Sequence, residues 1–425
     1  MSQLQEDEAT VEQTPPPPPE SVRRRPPPGK GHFFASVRDG VTTHWPTLLK
    51  IATIIALIYI FLVGIKLMGE GSEALAQGKD SFAHKMLLSA DNPFIGLFIG
   101  LFVTSIVQSS GVVTSIIVAL VSGGAITVHA AVPMVMGANI GTTVTNILVS
   151  MGYITRRDQF RRAVSAAVVH DFFNVLTVLV MMPLELMFGM LGRTAMWISD
   201  QLPHDSPGGA ANVETFNPLG PVIDPAVHLF QRLIGSPDGP GWAAGITALV
   251  GLSFIFFALL SLVTVLRSMV LTRAESFVGK VIGKSGWMGI IIGMVVTAIV
   301  HSSSVTTSVL VPMAAAGIVT VTQVFPITIG ANLGTTMTAL VASLAGSVGG
   351  GMGGVAIALV HLLFNVCGLL LFYPVPMMRR IPVWLATKTG SLAAYSRKLI
   401  VLGVVCLFFV IPGVLIFIYR ILSQE

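Results

Sequence analysis

The chain has 425 residues, 53% hydrophobic and only 11% charged, and its mean hydropathy is +0.81. A soluble domain carries about 25% charged residues, so this chain lacks the polar surface a water-soluble protein needs. Its net charge of +5 therefore reads as a membrane-topology signal and excludes a nucleic-acid binder. The two cysteines, Cys367 and Cys406, both lie in apolar runs, which excludes a disulfide framework.

In chain order, residues 14–32 read TPPPPPESVRRRPPPGKGH. Proline supplies no N–H and the run is basic, so residues 1–45 are expected to be a disordered cytoplasmic tail. Runs at 51–65, 164–190, 243–266, 353–373 and 399–419 hold almost no charge and approach the ~20 residues of a bilayer-spanning helix. The fold class is thus an all-α polytopic membrane protein. The expected organisation is a first transmembrane repeat at 46–191, an outer linker at 192–240, a second repeat at 241–398 and a final helix at 399–425.

Segment 94–122 divides at QSSG into two apolar arms, each too short to span, and segment 287–317 divides likewise at HSSS. Each reads as a helical hairpin that enters and leaves on one side. A crossing at 128–150 follows the first hairpin. The basic loop YITRRDQFRR comes next, followed by the run 164–190 with Asp171 inside it.

The halves are repeats. Residues 104–150 lie over 297–343 without a gap, with 21 of 47 positions identical, and 168–183 lies over 359–374. The matches include Thr114/Thr307, Pro133/Pro326, Asn139/Asn332 and Asn174/Asn365, which shared apolar composition does not explain. Arg156, Arg157, Arg161 and Arg162 on one side and Arg267, Arg273, Lys280 and Lys284 before the second hairpin mark cytoplasmic segments. By parity the first hairpin opens outward and the second inward. Inverted repeats with interrupted helices are the architecture of secondary transporters, whose substrate site lies where the repeats meet.

A hairpin tip exposes the free N–H groups of a short helix N-terminus, and those groups and the helix dipole suit an anion. Adjacent Ser hydroxyls can donate to several oxygens of one tetrahedral anion. The paired GANIGTT (137–143) and GANLGTT (330–336) are expected to break their helices. Glycine lets a backbone unwind, and the freed carbonyls, Asn amides and Thr hydroxyls are hard oxygen ligands for a small cation. Close helix packing through small residues is the competing reading. Asp171, whose counterpart is Leu362, is an ionisable residue inside a span and by default functional. The recurring His170 and His361 suit helix–helix hydrogen bonding, and Glu185 is expected at the outer interface.

At these motifs, together with FRRAVSAAVVHDFFNVLTVLVMMPLE (160–185), the chain resembles the type II sodium–phosphate cotransporter family over roughly residues 50–420. The resemblance implies sodium-coupled, electrogenic uptake of inorganic phosphate by alternating access, with sodium as coupling ion and no cofactor. The candidate phosphate ligands are Ser109, Ser110, Gly111, Ser303, Ser304 and Thr142. The candidate sodium ligands are Gln108, Ser302, Thr335, Asn139, Asn332, Asp171 and Asn174. Two positions depart from the family pattern. Gly111 stands where a third Ser is usual, and His301 where Gln is usual. His301 can imitate the Gln donor, and it would add positive charge below pH ~6.5. The expected partners are phosphate, sodium and membrane lipid, with no nucleic acid and with a homodimer left open. The alternatives are a carrier for another oxyanion or small organic anion, a passive anion channel, and an intramembrane serine hydrolase built on Ser302–Ser304.

Overall fold

The computed structural model describes residues 30–76, 92–202, 220–235, 241–281, 285–346 and 352–422. The chain divides into two compact units, residues 1–50 and 51–425. In the first, the described residues are helical from Lys30 onward, where helix α1 (Lys30–Ala76) begins. Residues 30–45 of the expected tail form the start of this helix. The proline run ends at Pro28 and no further proline interrupts the chain before Pro46, so nothing there blocks the helix. The rest of that tail lies outside the described residues.

Among the described residues no strand occurs, and seven helices are long and apolar enough to cross a membrane. They run Leu48–Gly71, Val128–Met151, Arg157–Phe188, Trp242–Leu262, Val321–Ser343, Gly353–Phe372 and Arg397–Leu422. The protein is an integral membrane protein.

The first hairpin pairs α2 (Pro93–Val107) with α3 (Ser110–Ser122). Asn92 caps α2 by accepting from the N–H groups of Phe94 and Ile95, and Pro93 starts the helix, where its missing N–H has no intrahelical acceptor anyway. Gln108 ends α2 in a left-handed conformation, φ 58°. That reversal lets Ser109 cap α3. The chain then crosses through α4 (Val128–Gly141) and α5 (Thr143–Met151) into α6 (Arg157–Phe188). In the second half, α10 (Gly286–Val300) and α11 (Ser303–Ala315) repeat the hairpin around a left-handed His301, φ 55°. The crossing α12 (Val321–Gly346) and the inner helix α13 (Gly353–Phe372) follow.

The open ends of the hairpins lie at opposite ends of the bundle. Arg162, on the first turns of α6, donates twice to the Ala315 carbonyl at the end of α11, at 3.0 and 2.7 Å. The second hairpin thus opens beside the 152–162 loop. Gly354, at the start of α13, packs on Ser122 at the end of α3. One full crossing, Val128–Met151, separates that end from the loop.

Of the two helices expected to break at the G-A-N motifs, the second does not. α12 runs unbroken through 330–336. In the first repeat only Thr142 departs from the assignment, with helical torsions of −61° and −25°. The glycines serve close approach instead. A Cβ on Gly137 would lie 1.9 Å from the Leu97 carbonyl oxygen, and one on Gly330 would lie 2.0 Å from that of Ile290. Across the same contacts, a Cβ on Gly100 would lie 2.0 Å from the Met134 carbonyl oxygen and one on Gly293 2.1 Å from that of Ile327. Backbone-to-backbone contact of this kind is how helices associate in lipid, where apolar side chains gain nothing from leaving solvent. Each hairpin's first arm is thereby clamped to its own crossing helix.

After the inner helices the chain continues as α7 (Met190–Gln201) in the first repeat. Between the repeats lie α8 (Gly220–Ile234) and α9 (Gly241–Val281), and after α13 comes α14 (Pro376–Tyr395). Gly390 of α14 packs on Ser165 and Arg161 of α6, while Ser199 of α7 bonds the Met352 carbonyl ahead of α13. Each repeat's last helix thus packs on the other repeat. Glu185, expected at the interface, is buried and accepts from the N–H groups of Leu191 (2.6 Å) and Gly192 (3.2 Å). A carboxylate there complements the positive end of α7. The linker helix α8 is tied to α1 by a Lys66–Asp224 ion pair and a Gln231-to-Glu70 hydrogen bond of 2.7 Å. The chain ends in α15 (Arg397–Val405), a π-helical turn (Cys406–Val410) and α16 (Ile411–Leu422).

Candidate functional site

The two hairpin tips meet. The Ser304 hydroxyl donates to the Gln108 carbonyl at 3.4 Å. Gly111 faces the methyl groups of Thr335 and Thr338, and a Cβ there would sit at ordinary contact distance, 3.6 Å from Thr338. The third hydroxyl missing from this tip is therefore absent by sequence and not for want of room.

Within each tip the serines divide by task. Ser109 and Ser302 hold extended torsions and cap α3 and α11, each accepting from the N–H three residues on at 3.3 Å. These two are counterparts, although one was expected on phosphate and the other on sodium. Ser110 and Ser303, the next pair, are buried at 4% and 3% exposure, and among the described residues their hydroxyls take no protein partner. They open the first turn of α3 and α11 respectively, where the backbone N–H groups lack intrahelical acceptors. Two tips thus bring paired hydroxyl and amide donors together in a buried position. That arrangement suits a tetrahedral oxyanion.

Thr142 and Thr335 bond back to their own helices, donating to the carbonyls of Ala138 (3.2 Å) and Ala331 (2.9 Å). Their oxygens keep lone pairs for a cation. His301 bonds the Thr338 hydroxyl through Nδ1 at 3.1 Å, so the imidazole is held at the second tip as a positioned polar group.

The asparagines are engaged elsewhere. His170 Nε2 hydrogen-bonds to Asn332 Oδ1, and Asn332 donates to Asn174 Oδ1 at 2.7 Å. Asn174 in turn donates to the Asn139 carbonyl at 2.8 Å. In the counterpart arrangement His361 Nε2 meets Asn139 Oδ1 at 3.3 Å. Each repeat's histidine therefore grips the other repeat's asparagine across the interface. The amide oxygens of Asn139, Asn332 and Asn174, the candidate sodium ligands, bond across the two repeats.

Asp171 stands next to this network, half-buried, with Oδ1 shielded from solvent and unpartnered among the described residues. An unpaired carboxylate oxygen in such surroundings is costly and suits a cation. Asn146 went unnoticed in the sequence. It accepts from Thr307 at 2.9 Å and Ser308 at 3.4 Å, fastening the second hairpin to the first repeat. The signal was present, since its counterpart is Ala339 and a polar residue without a polar counterpart marks an asymmetric contact.

Comparison with known proteins fits this geometry. A family model described as Na+/Pi-cotransporter matches residues 60–197 and 254–412. The sodium-dependent phosphate transport protein 2A of Ovis aries is 31% identical over 438 residues, spanning 86% of this chain and 67% of that protein. The 2A protein of Oryctolagus cuniculus is 32% identical over 433 residues, with the same coverage. The 2B protein of Homo sapiens is 29% identical over 446 residues, spanning 85% of this chain and 64% of that protein. No solved structure matches the chain. With more than half of its length matched, across both hairpins and both inner helices, the chain belongs to the Na+/Pi-cotransporter family.

Proposed function

We propose that this protein is a sodium-coupled importer of inorganic phosphate that works by alternating access between its two repeats. The observation that carries this reading is the pair of buried residues Ser110 and Ser303, whose hydroxyls take no protein partner among the described residues, at the first turns of α3 and α11. Phosphate accepts from these hydroxyls and the adjacent amides, including that of Gly111, with Ser304 at the junction of the tips. Sodium is held beside it by the oxygens of Gln108, Thr142 and Thr335. Ser109 and Ser302 shape the tips. The side bearing Arg156, Arg157, Arg161 and Arg162 faces the cytoplasm, and lipid covers the exposed face of Arg397–Leu422, only 17% buried.

Reconstituted into proteoliposomes, the protein should accumulate phosphate above the outside concentration under an inward Na+ gradient. With choline in place of Na+ it should not. Equal uptake without Na+ removes the coupling, and flux that never exceeds equilibration makes the protein a channel. Stronger competition by sulfate or a dicarboxylate than by arsenate assigns the tips to another anion.

Asp171 supplies a further cation site. Each cation it admits adds a positive charge to the cargo, so uptake should rise with an inside-negative potential. Asp171→Asn should fold and still carry phosphate while losing that response. Unchanged dependence on a K+/valinomycin potential removes Asp171 from the coupling.

A further inference from the structure

The network between the repeats is nearly symmetric in its residues, with Gln108 opposite His301 and Leu362 opposite Asp171, and asymmetric in its bonds. Among the buried atoms without a partner in the described residues are Thr145 Oγ1, His361 Nδ1 and Asn365 Oδ1, which lie in this network. Each is the repeat counterpart of an atom that has one. Thr338, the counterpart of Thr145, bonds His301 at 3.1 Å. His170 Nδ1, the counterpart of His361 Nδ1, meets the Thr143 hydroxyl at 3.4 Å. Asn174 Oδ1, the counterpart of Asn365 Oδ1, accepts from Asn332 at 2.7 Å.

The groups that would satisfy the orphans are present and bonded within their own helices. Thr336, the counterpart of Thr143, donates to the Leu333 carbonyl at 2.7 Å, and Asn139, the counterpart of Asn332, donates to that of Val135 at 2.9 Å. Gln108, the counterpart of His301, ends its helix in the same left-handed conformation.

We propose that this network is a hydrogen-bond exchange that sets the balance between the two faces of the transport cycle, an inference that rests on the alternating-access reading. In the opposite-facing state Gln108 pairs with Thr145, Thr336 with His361 and Asn139 with Asn365, while the three present bonds open. The His170–Asn332 and His361–Asn139 pairs persist in both states as the pivot. Three bonds form as three break, the local bonds of Thr336 and Asn139 pass to their counterparts Thr143 and Asn332, and three atoms are orphaned either way, so the states stay close in energy. A population that ligands can shift requires that closeness.

The test uses Thr145→Val and Thr338→Val, which keep the side-chain shape and remove one hydroxyl each. It is read by hydrogen–deuterium exchange of the purified protein without Na+ or phosphate. Thr145→Val removes a hydroxyl satisfied only in the opposite state, and should enrich the present state roughly fivefold. Thr338→Val should do the reverse. Exchange rates in Pro93–Ser122 and Gly286–Ala315 should then move in opposite directions in the two variants, and the double variant should return to the wild-type pattern. Shifts of the same sign, no shift, or a double variant that fails to cancel each overturn the exchange. Because the assay contains no phosphate, opposed shifts in a protein that fails to transport phosphate would leave the exchange standing and overturn only the transport reading.

Discussion

Gly137→Ala and Gly330→Ala should each abolish the folded protein. The added Cβ would lie 1.9 Å from the Leu97 carbonyl oxygen in one case and 2.0 Å from that of Ile290 in the other. The obstacle is backbone, so no rotamer change relieves it. α2 or α10 would have to lift off its crossing helix along most of its length. Overpacking a core costs about 1–3 kcal/mol even where side chains can shift, and a helix displaced from a backbone contact exceeds that range. Gly245→Ala is the control, since nothing lies within 4 Å of a Cβ there and Ala is the better helix former by about 1 kcal/mol. On fluorescence-detected size exclusion the first two variants should lose the monodisperse peak and the third should keep it. A wild-type peak and melting temperature for Gly137→Ala would refute the close-packing account and return the glycines to a role in unwinding.

Ser110→Ala and Ser303→Ala should have the opposite character, with an intact fold and crippled transport. Neither hydroxyl bonds to the protein among the described residues, so removing it leaves no protein partner unsatisfied. A hydrogen bond to a charged group is worth about 1.5–3 kcal/mol, so each change should raise the phosphate KM roughly 10- to 100-fold. The double variant should lose more than either alone, though not the full product, because both donors act on one anion. Ser109→Ala and Ser302→Ala should instead lower the melting temperature, since a lost N-cap costs about 1 kcal/mol. Phosphate-concentration curves and melting curves on all four variants separate ligand from cap. A wild-type phosphate KM in the Ser110→Ala/Ser303→Ala double would sink the assignment of these hydroxyls.

How far the sequence alone reached can be judged at particular residues. The run 353–373 and the helix Gly353–Phe372 differ by a single residue, and the expected crossing 128–150 is observed as Val128–Met151. Both hairpins begin and end within two residues of their expected bounds. Such features are legible because a bilayer imposes length and composition on every span, and because duplication prints the tip and the crossing twice. The serine clusters were legible as candidate sites for the same reason, as polar groups repeated where apolar ones would be cheaper.

What a serine or an asparagine does within such a cluster depends on atoms from elsewhere in the chain. Ser109 and Ser110 are identical neighbours in sequence. A left-handed Gln108 turns the first into a cap and leaves the second free. Asn139 and Asn332 look like ligands beside glycines, yet the histidines that occupy them come from the other repeat, more than 160 positions away. The same glycines read as unwinding points until the facing carbonyls of Leu97 and Ile290 are in place. The amino-acid sequence by itself determined the membrane class, the spans, the duplication and the polar tips, all of which follow from hydropathy and local repetition. The tertiary structure decided which hydroxyls are free, which amides join the repeats and which glycines pack. Those outcomes depend on contacts between helices that local sequence does not encode.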